Sequence, residues 1–345
     1  MKILILGGTR FLGRHLARQA LEAGHAVTLL HRGRSGPDLF PEADNRIGDR
    51  NGDLAVLAGG TWDVAIDTSA YVPRHVRTMA AALAGRVGQY QLVSTISVYA
   101  EPIAPGADET APTQTLADPE TEALTAETYG GLKVLCEQAA QQAFGERCLV
   151  PRPGLIVGPH DPTGRFSWWV QRVQRGGEIL APGDPATPVQ FIDVRDLADW
   201  MLLQAENGTA GAFNLTGPAA PIGMGELLHA ARDTLNPAAN FIWVDEAFVL
   251  EQGVAPWSEL PVWVPSAQAT IHTLSLQRAL DTGLRIRPLA QTLRDTAAWL
   301  PQATPPAAAA VARPPAGLAP EREAAVLAAW AQRSPFRSAQ PDPRV

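Results

Sequence analysis

The chain has 345 residues, 46% of them hydrophobic and 18% charged, which supplies a sizeable core and excludes a largely disordered chain. The formal net charge of −7 argues against a general nucleic-acid binder, because such proteins gain most of their affinity by neutralising phosphates. No apolar run approaches the ~20 residues of a membrane span, and the first one, with no basic segment before it, reads as a strand and not a signal peptide. The two cysteines, Cys136 and Cys148, make no disulfide framework and fit buried free thiols in a reducing cytoplasm.

In chain order, residues 3–6 are a short apolar strand run. Residues 11–23 follow with Leu12, Leu16, Ala20 and Ala23 on one helical face, and Gly24 stops the helix. Strands are predicted over 26–30, around Ile47, over 64–66 and over 90–94, with a helix over 74–83. Apolar strands alternating with helices specify a parallel sheet covered on both faces and joined by right-handed crossovers. The fold class is therefore α/β, a doubly wound (Rossmann) sheet. Residues 101–118, rich in Pro, Ala and acidic groups, read as a loop. Residues 125–144 read as a long helix and 148–150 as a strand.

After Pro151 proline and glycine become frequent and the elements shorten, the texture of a smaller substrate-binding lobe. The expected organisation is a dinucleotide-binding domain over 1–150, to which later elements return, and a mixed substrate lobe over 151–300. A Pro/Ala-rich linker, a helix near 320–330 and a tail complete 301–345.

The chemistry begins at Gly7-Gly8-Thr9-Arg10-Phe11-Leu12-Gly13, between the first strand and the first helix. Glycines there permit a tight turn and a close backbone approach to a pyrophosphate, and a helix N-terminus supplies N–H groups and a positive dipole end. The absence of Gly-Lys-Ser/Thr excludes a Walker loop. At the end of the second strand, His31-Arg32-Gly33-Arg34 offers no carboxylate for a ribose 2′-hydroxyl. Arg10, Arg32 and Arg34 suit a 2′-phosphate instead, so NADP is favoured and NAD is second choice.

Tyr129 and Lys133 are one turn apart on the predicted helix. A tyrosine near pKa 10 is a poor proton donor or acceptor at neutral pH, and bringing it to neutrality takes roughly 4 kcal/mol of preferential phenolate stabilisation. The neighbouring ammonium is placed to supply it. Such a tyrosine can exchange a proton with a carbinol or carbonyl oxygen while a hydride moves on a nicotinamide. Ser94-Thr95-Ile96-Ser97 ends the strand that precedes this helix, and its hydroxyls could orient a substrate oxygen.

The glycine turn together with Tyr-Gly-x-x-Lys resembles the extended short-chain dehydrogenase/reductase superfamily, its NAD-dependent epimerase/dehydratase branch, from Met1 to about Leu300. The resemblance implies Thr95, Tyr129 and Lys133 as the catalytic set, with Ser94 and Ser97 as alternatives to Thr95. It implies cofactor contacts from Gly7, Thr9, Arg10, Phe11, Leu12, Gly13, His31, Arg32, Arg34, Asp49, Arg50, Thr68, Ser69, Ala70, Tyr129, Lys133 and Pro153. Substrate contacts are expected from Tyr71, Ser97, Arg165 and Trp168, and no metal is expected. Ile96-Ser97 stand where sugar-nucleotide dehydratases of this family carry an Asp-Glu pair, so elimination is disfavoured. Arg152-Pro153-Gly154-Leu155-Ile156-Val157-Gly158-Pro159 resembles the strand beside the nicotinamide, and Asp193 or Asp196 is expected to order a loop or cap a helix.

These readings give an NAD(P)-dependent reductase or epimerase that interconverts a hydroxyl and a carbonyl on a small molecule, with a sugar nucleotide as one candidate. The family branch also holds RNA-binding members, so the alternative is a non-catalytic nucleotide- or RNA-binding protein on the same fold. No membrane partner is expected, and a homodimer is compatible with the family.

Overall fold

The computed structural model describes residues 1–52, 54–302 and 316–333. The chain forms two interleaved compact units. The first takes Met1–Pro162, Gln190–Pro221 and Thr270–Pro288. The second takes Thr163–Val189, Ile222–Ala269 and the described residues from Leu289 onward.

Elements are numbered along the chain. The first unit holds β1 (Lys2–Leu6), α1 (Phe11–Glu22), β2 (Ala26–His31), β3 (Asp44–Ile47), β4 (Trp62–Asp67), α2 (Pro73–Ala82), β5 (Val87–Leu92), α3 (Ala126–Phe144), β6 (Cys148–Pro153) and β7 (Leu155–Val157). It also holds β10 (Phe191–Asp193), α5 (Val194–Asn207), β11 (Gly211–Leu215) and α8 (Gln277–Asp281). Seven parallel strands make one sheet in the order β3-β2-β1-β4-β5-β6-β11. The chain starts at β1, winds out to β3, and returns to β4 on the other side of β1. That reversal is the switch point at which doubly wound sheets open a ligand crevice.

The strands are apolar without alternation because both faces are covered. On β1, Ile3 and Ile5 enter one core with Leu12 and Leu16 of α1 and Trp200 of α5. Leu4 and Leu6 enter the opposite core with Val76 and Met79 of α2 and Ala140 and Phe144 of α3. Asp193 caps α5 by accepting from the Arg195 N–H at 2.9 Å, and Asp196 accepts from the Arg287 backbone and guanidinium.

The second unit holds α4 (Arg165–Arg175), β8 (Gly177–Pro182), β9 (Pro188–Val189), β12 (Ile222–Gly223), α6 (Met224–Leu235), β13 (Ala239–Val244), α7 (Glu246–Glu251), α9 (Leu289–Trp299) and α10 (Pro320–Arg333). Its strands form two separate pairs, β8 with β13 and β9 with β12. The boundary expected at 150 is corrected to Thr163: β6 runs on to Pro153, and β7 pairs with β10 inside the first unit. The helix expected near 320–330 is α10. The linker over 303–315 and the tail from 334 lie outside the described residues. Among the described residues no helix is long and apolar enough to cross a membrane.

Candidate active site

Every expected site residue of the first unit lies at the C-terminal edge of the parallel sheet or on the helix turns beside it. Gly7 follows β1, and α1 begins at Phe11 with Arg10 as an extended N-cap that makes no side-chain cap. The opening turn of the helix therefore presents its N–H groups without a capping side chain, the arrangement that favours an anion. Gly13 sits on the carbonyl of Gly7, where any Cβ would overlap the oxygen. Thr9 and Leu12 are buried beneath the turn. Phe11 carries φ +35°, a costly value for a bulky residue. A backbone cradle of this form fits a dinucleotide pyrophosphate.

The ends of β2 and β3 converge beside it. His31, expected as a cofactor contact, is bonded within its own loop. Its Nδ1 accepts from the Gly33 N–H at 3.1 Å, so Nε2 carries the proton and donates to Asn45 Oδ1 at 3.1 Å. The ring is buried and shapes the loop. Arg10, Arg32 and Arg34 remain exposed. The Asn51 N–H, donating to Asp49 at 3.0 Å, holds the Asp49 carboxyl below its usual value, and the fields of Arg32 and Arg34 act in the same sense.

Arg50, also expected at the cofactor, is bonded in a similar way. Its guanidinium is engaged inside the protein, bidentate to Asp67 at 2.9 Å for both bonds and donating to Ser69 Oγ at 2.9 Å. Asp67 is fully buried at the end of β4 and also accepts from the Tyr90 hydroxyl and the Ser69 N–H. Burial pushes its carboxyl upward, but Arg50 and these donors together hold it below the usual range. The Thr68 hydroxyl donates to the Leu6 carbonyl at 2.8 Å, joining the ends of β4 and β1 at the switch point.

Thr95 caps the short 3-10 turn Ile96–Val98, accepting from the Ser97 N–H at 3.1 Å and donating to Ser97 Oγ at 3.2 Å. Thr125 and Thr128 cap α3 reciprocally, which fixes the helix start just before Tyr129. Tyr129 is half-buried on the first full turn. Lys133 is buried, and its Nζ donates to the carbonyls of Ala70 and Val93 at 2.7 Å each. Burial pulls its ammonium below the usual lysine value, against the raising influence of Cys136, Asp67 and Glu137. The exposed Tyr71 ring lies 5.9 Å from Nζ. Gly130 brings the two candidate pieces together: a Cβ there would overlap the Ser97 carbonyl oxygen, so the Thr95 turn rests on α3 beside Tyr129. Thr95, Ser97, Tyr129, Lys133, Ala70 and Tyr71 thus gather at one end of the sheet. Pro153 closes β6 on the same edge.

Sequence reasoning missed four buried groups around this set: Asp67, Tyr99, Glu137 and Arg152. Glu137 carried a signal, since it lies one further turn along the Tyr129–Lys133 stripe. In the second unit, the Arg165 guanidinium lies 5.2 Å over the Trp257 ring. Trp168, expected at substrate, packs edge-on to Trp169, with ring centroids 4.6 Å apart, and against Gly317. Among the described residues no cluster of His, Cys, Asp and Glu could hold a metal ion.

Residues 3–216 match the model of the NAD dependent epimerase/dehydratase family. Chloroplast stem-loop binding protein of 41 kDa b from Arabidopsis thaliana is 29% identical over 235 residues, which cover 63% of this chain and 58% of that protein. The chain thus spans somewhat more than half the length of this relative. A Synechocystis sp. protein provisionally named dihydroflavonol 4-reductase is 28% identical over 332 residues, 86% of this chain and 93% of its own. The structure of UDP-glucuronic acid 4-epimerase from Bacillus cereus in complex with NAD aligns with a TM-score of 0.64 at 16% identity, over 88% of this chain and 97% of that one. At that identity the likeness is one of fold.

Proposed function

Because this chain belongs to the NAD dependent epimerase/dehydratase family, we propose that it is an NADP-dependent reductase or epimerase acting on a hydroxyl/carbonyl pair. The observation that carries the reading is the seating of the Thr95 turn on α3 at Gly130, next to Tyr129 and above the buried Lys133. The Gly7–Gly13 turn and the open start of α1 would hold the pyrophosphate. Exposed Arg10, Arg32 and Arg34 would take a ribose 2′-phosphate, with NAD as the weaker alternative. When bound, the dinucleotide supplies the hydride donor or acceptor.

The chain's own groups handle the proton. Tyr129 Oη gives its proton to a carbonyl oxygen during reduction and takes one from a carbinol during oxidation. The Lys133 ammonium favours the phenolate form that the oxidative direction needs. The Thr95 hydroxyl, which turns to Ser97 Oγ here, donates to the substrate oxygen and orients it. With Ile96 and Ser97 beside it, no carboxylate pair stands ready for an elimination. A sugar nucleotide is the favoured substrate class, by analogy with the UDP-glucuronic acid 4-epimerase whose fold the chain shares. Two buried free thiols, Cys136 and Cys148, support a reducing cytoplasm as the compartment, and a homodimer remains part of the proposal.

The test is a screen of carbonyl compounds and sugar nucleotides with NADPH and NADH, read at the nicotinamide absorbance band. Turnover with NADPH supports the reductase. Dinucleotide retained through purification, with interconversion of two epimers, supports the epimerase. The Arabidopsis relative, named for stem-loop binding, favours a second reading: a non-catalytic RNA binder. Nanomolar binding of a structured RNA with no turnover of any substrate would favour it over catalysis.

A further inference from the structure

The Tyr129–Lys133 stripe of α3 does not end at Lys133. One turn on, Glu137 is buried and accepts three bonds: from Ser94 Oγ, from Arg152 Nε at 3.1 Å and from Arg152 Nη2 at 2.7 Å. The same guanidinium extends Nη1 to the Tyr99 hydroxyl at 3.1 Å, and that hydroxyl donates to Asn214 Oδ1 on β11. Arg152 also lies over the Tyr99 ring, 5.2 Å from its centroid.

Ser94 and Tyr99 are the two flanks of the Thr95 turn. Ser94 immediately precedes Thr95, and Tyr99 immediately follows Val98. One buried ion pair therefore holds the turn at both ends, and its acidic member sits on the helix that carries Tyr129 and Lys133. We infer that the Glu137–Arg152 pair is a positioning clamp that sets the Thr95 hydroxyl against Tyr129. The inference rests on the catalytic reading above and adds to it residues that touch no substrate.

A purely stabilising role is a poor explanation for the pair. Removing two charges from water is costly before their attraction is counted, so a buried pair of this kind yields little net stability over an apolar replacement. Its geometry is what an apolar pair could not reproduce. Hydrogen bonds fix Ser94 Oγ and Tyr99 Oη in direction as well as distance, whereas apolar contacts would leave the turn free to shift. A displacement of about 1 Å between a hydroxyl donor and its target is enough to reduce rate by roughly a hundredfold.

The clamp can be tested with and without turnover. Tyr99→Phe and Ser94→Ala each remove one flank while leaving the ion pair intact, so both should fold; Glu137→Gln removes the charge and is the harsher variant. The first readout is amide hydrogen exchange at Ser97 and Tyr99, whose N–H groups bond to Thr95 Oγ1 and the Ile96 carbonyl within the turn. Either mild variant should accelerate exchange there by about tenfold, with the amides of β1 and β2 unchanged, the signature of local and not global opening. Unchanged exchange in both variants overturns the clamp.

The second readout is a double-mutant cycle on kcat. Tyr99→Phe should lower kcat by roughly tenfold in the wild type and by less than about twofold in a Thr95→Ala background, because it acts through Thr95. An equal loss in both backgrounds overturns the positioning role even if exchange accelerates. If exchange accelerates but Thr95→Ala and Tyr129→Phe leave turnover at wild-type level, the catalytic reading falls while the clamp on the turn stands.

Discussion

The Gly7–Gly13 turn and the Thr95 turn lie on the same edge of one sheet but are built in opposite ways. The glycine turn is defined by side chains it lacks: Gly13 must be bare for α1 to lie on the Gly7 carbonyl. The Thr95 turn is defined by side chains it recruits from elsewhere, Glu137 on α3 and Arg152 on β6. A region built from backbone tolerates no addition, whereas a region built from a charge network tolerates no subtraction. Lys133 stands between these regimes, fastened to carbonyls at the ends of β4 and β5 and flanked by two buried arginine–carboxylate pairs, Arg50–Asp67 and Arg152–Glu137.

That contrast can be broken at four points. Tyr129→Phe should lower turnover by about 10³-fold, the range of general acid–base catalysis, with dinucleotide affinity unchanged by calorimetry; a variant that keeps full turnover would remove Tyr129 from the mechanism. Asp67→Asn leaves Arg50 buried without its counter-charge and should cost about 3 kcal/mol in denaturant unfolding. The sign with pH follows from the depressed carboxyl: Asp67 stabilises the fold above the ordinary carboxylate range, and the benefit is lost as pH falls through its lowered native value. The variant should accordingly show a shallower loss of stability in acid than the wild type.

Gly13→Ala should weaken dinucleotide binding by about a hundredfold, since the helix must back away from the pyrophosphate cradle; titration by fluorescence quenching measures it. The smallest effect is expected at the exposed end. NADP should bind more tightly than NAD, and Arg32→Ala should narrow the gap by about tenfold, the worth of one charge-assisted bond. Equal affinities in the wild type would refute the argument from the arginines.

The same contrast explains what could be read from the sequence. The β1–α1 turn is local: a strand, a spaced set of glycines and a helix start are contiguous in the chain. The Tyr129–Lys133 spacing was legible for similar reasons, as was Thr125 at the start of α3, whereas only the family resemblance singled out Thr95 from Ser94 and Ser97. The Arg50–Asp67 and Arg152–Glu137 pairs join positions 17 and 15 residues apart, and nothing in either local segment marks its partner. The inward bonds of Arg50 and His31 were therefore not visible in the sequence, which marks only their place beside the expected cofactor turn. The boundary between units was misplaced for a related reason, because the pairing of β7 with β10 joins segments more than thirty residues apart.

α10 carries a consequence for any attempt to shorten the protein. Its Glu323 is buried in the second unit, accepting from Arg172 Nε at 2.7 Å and from the Leu180 N–H at 3.1 Å. Nearby, Trp330 rests on Phe248, with ring centroids 5.0 Å apart. A chain cut after Gln302 would leave the Arg172 guanidinium in the interior without its counter-charge and the Leu180 N–H without its acceptor, and would bare the Phe248 face to water. Such a product should be sticky and protease-sensitive in the second unit even while the first keeps its sheet. α10, remote in sequence from every glycine and tyrosine that marks the proposed chemistry, is thus a keystone for the other half of the protein.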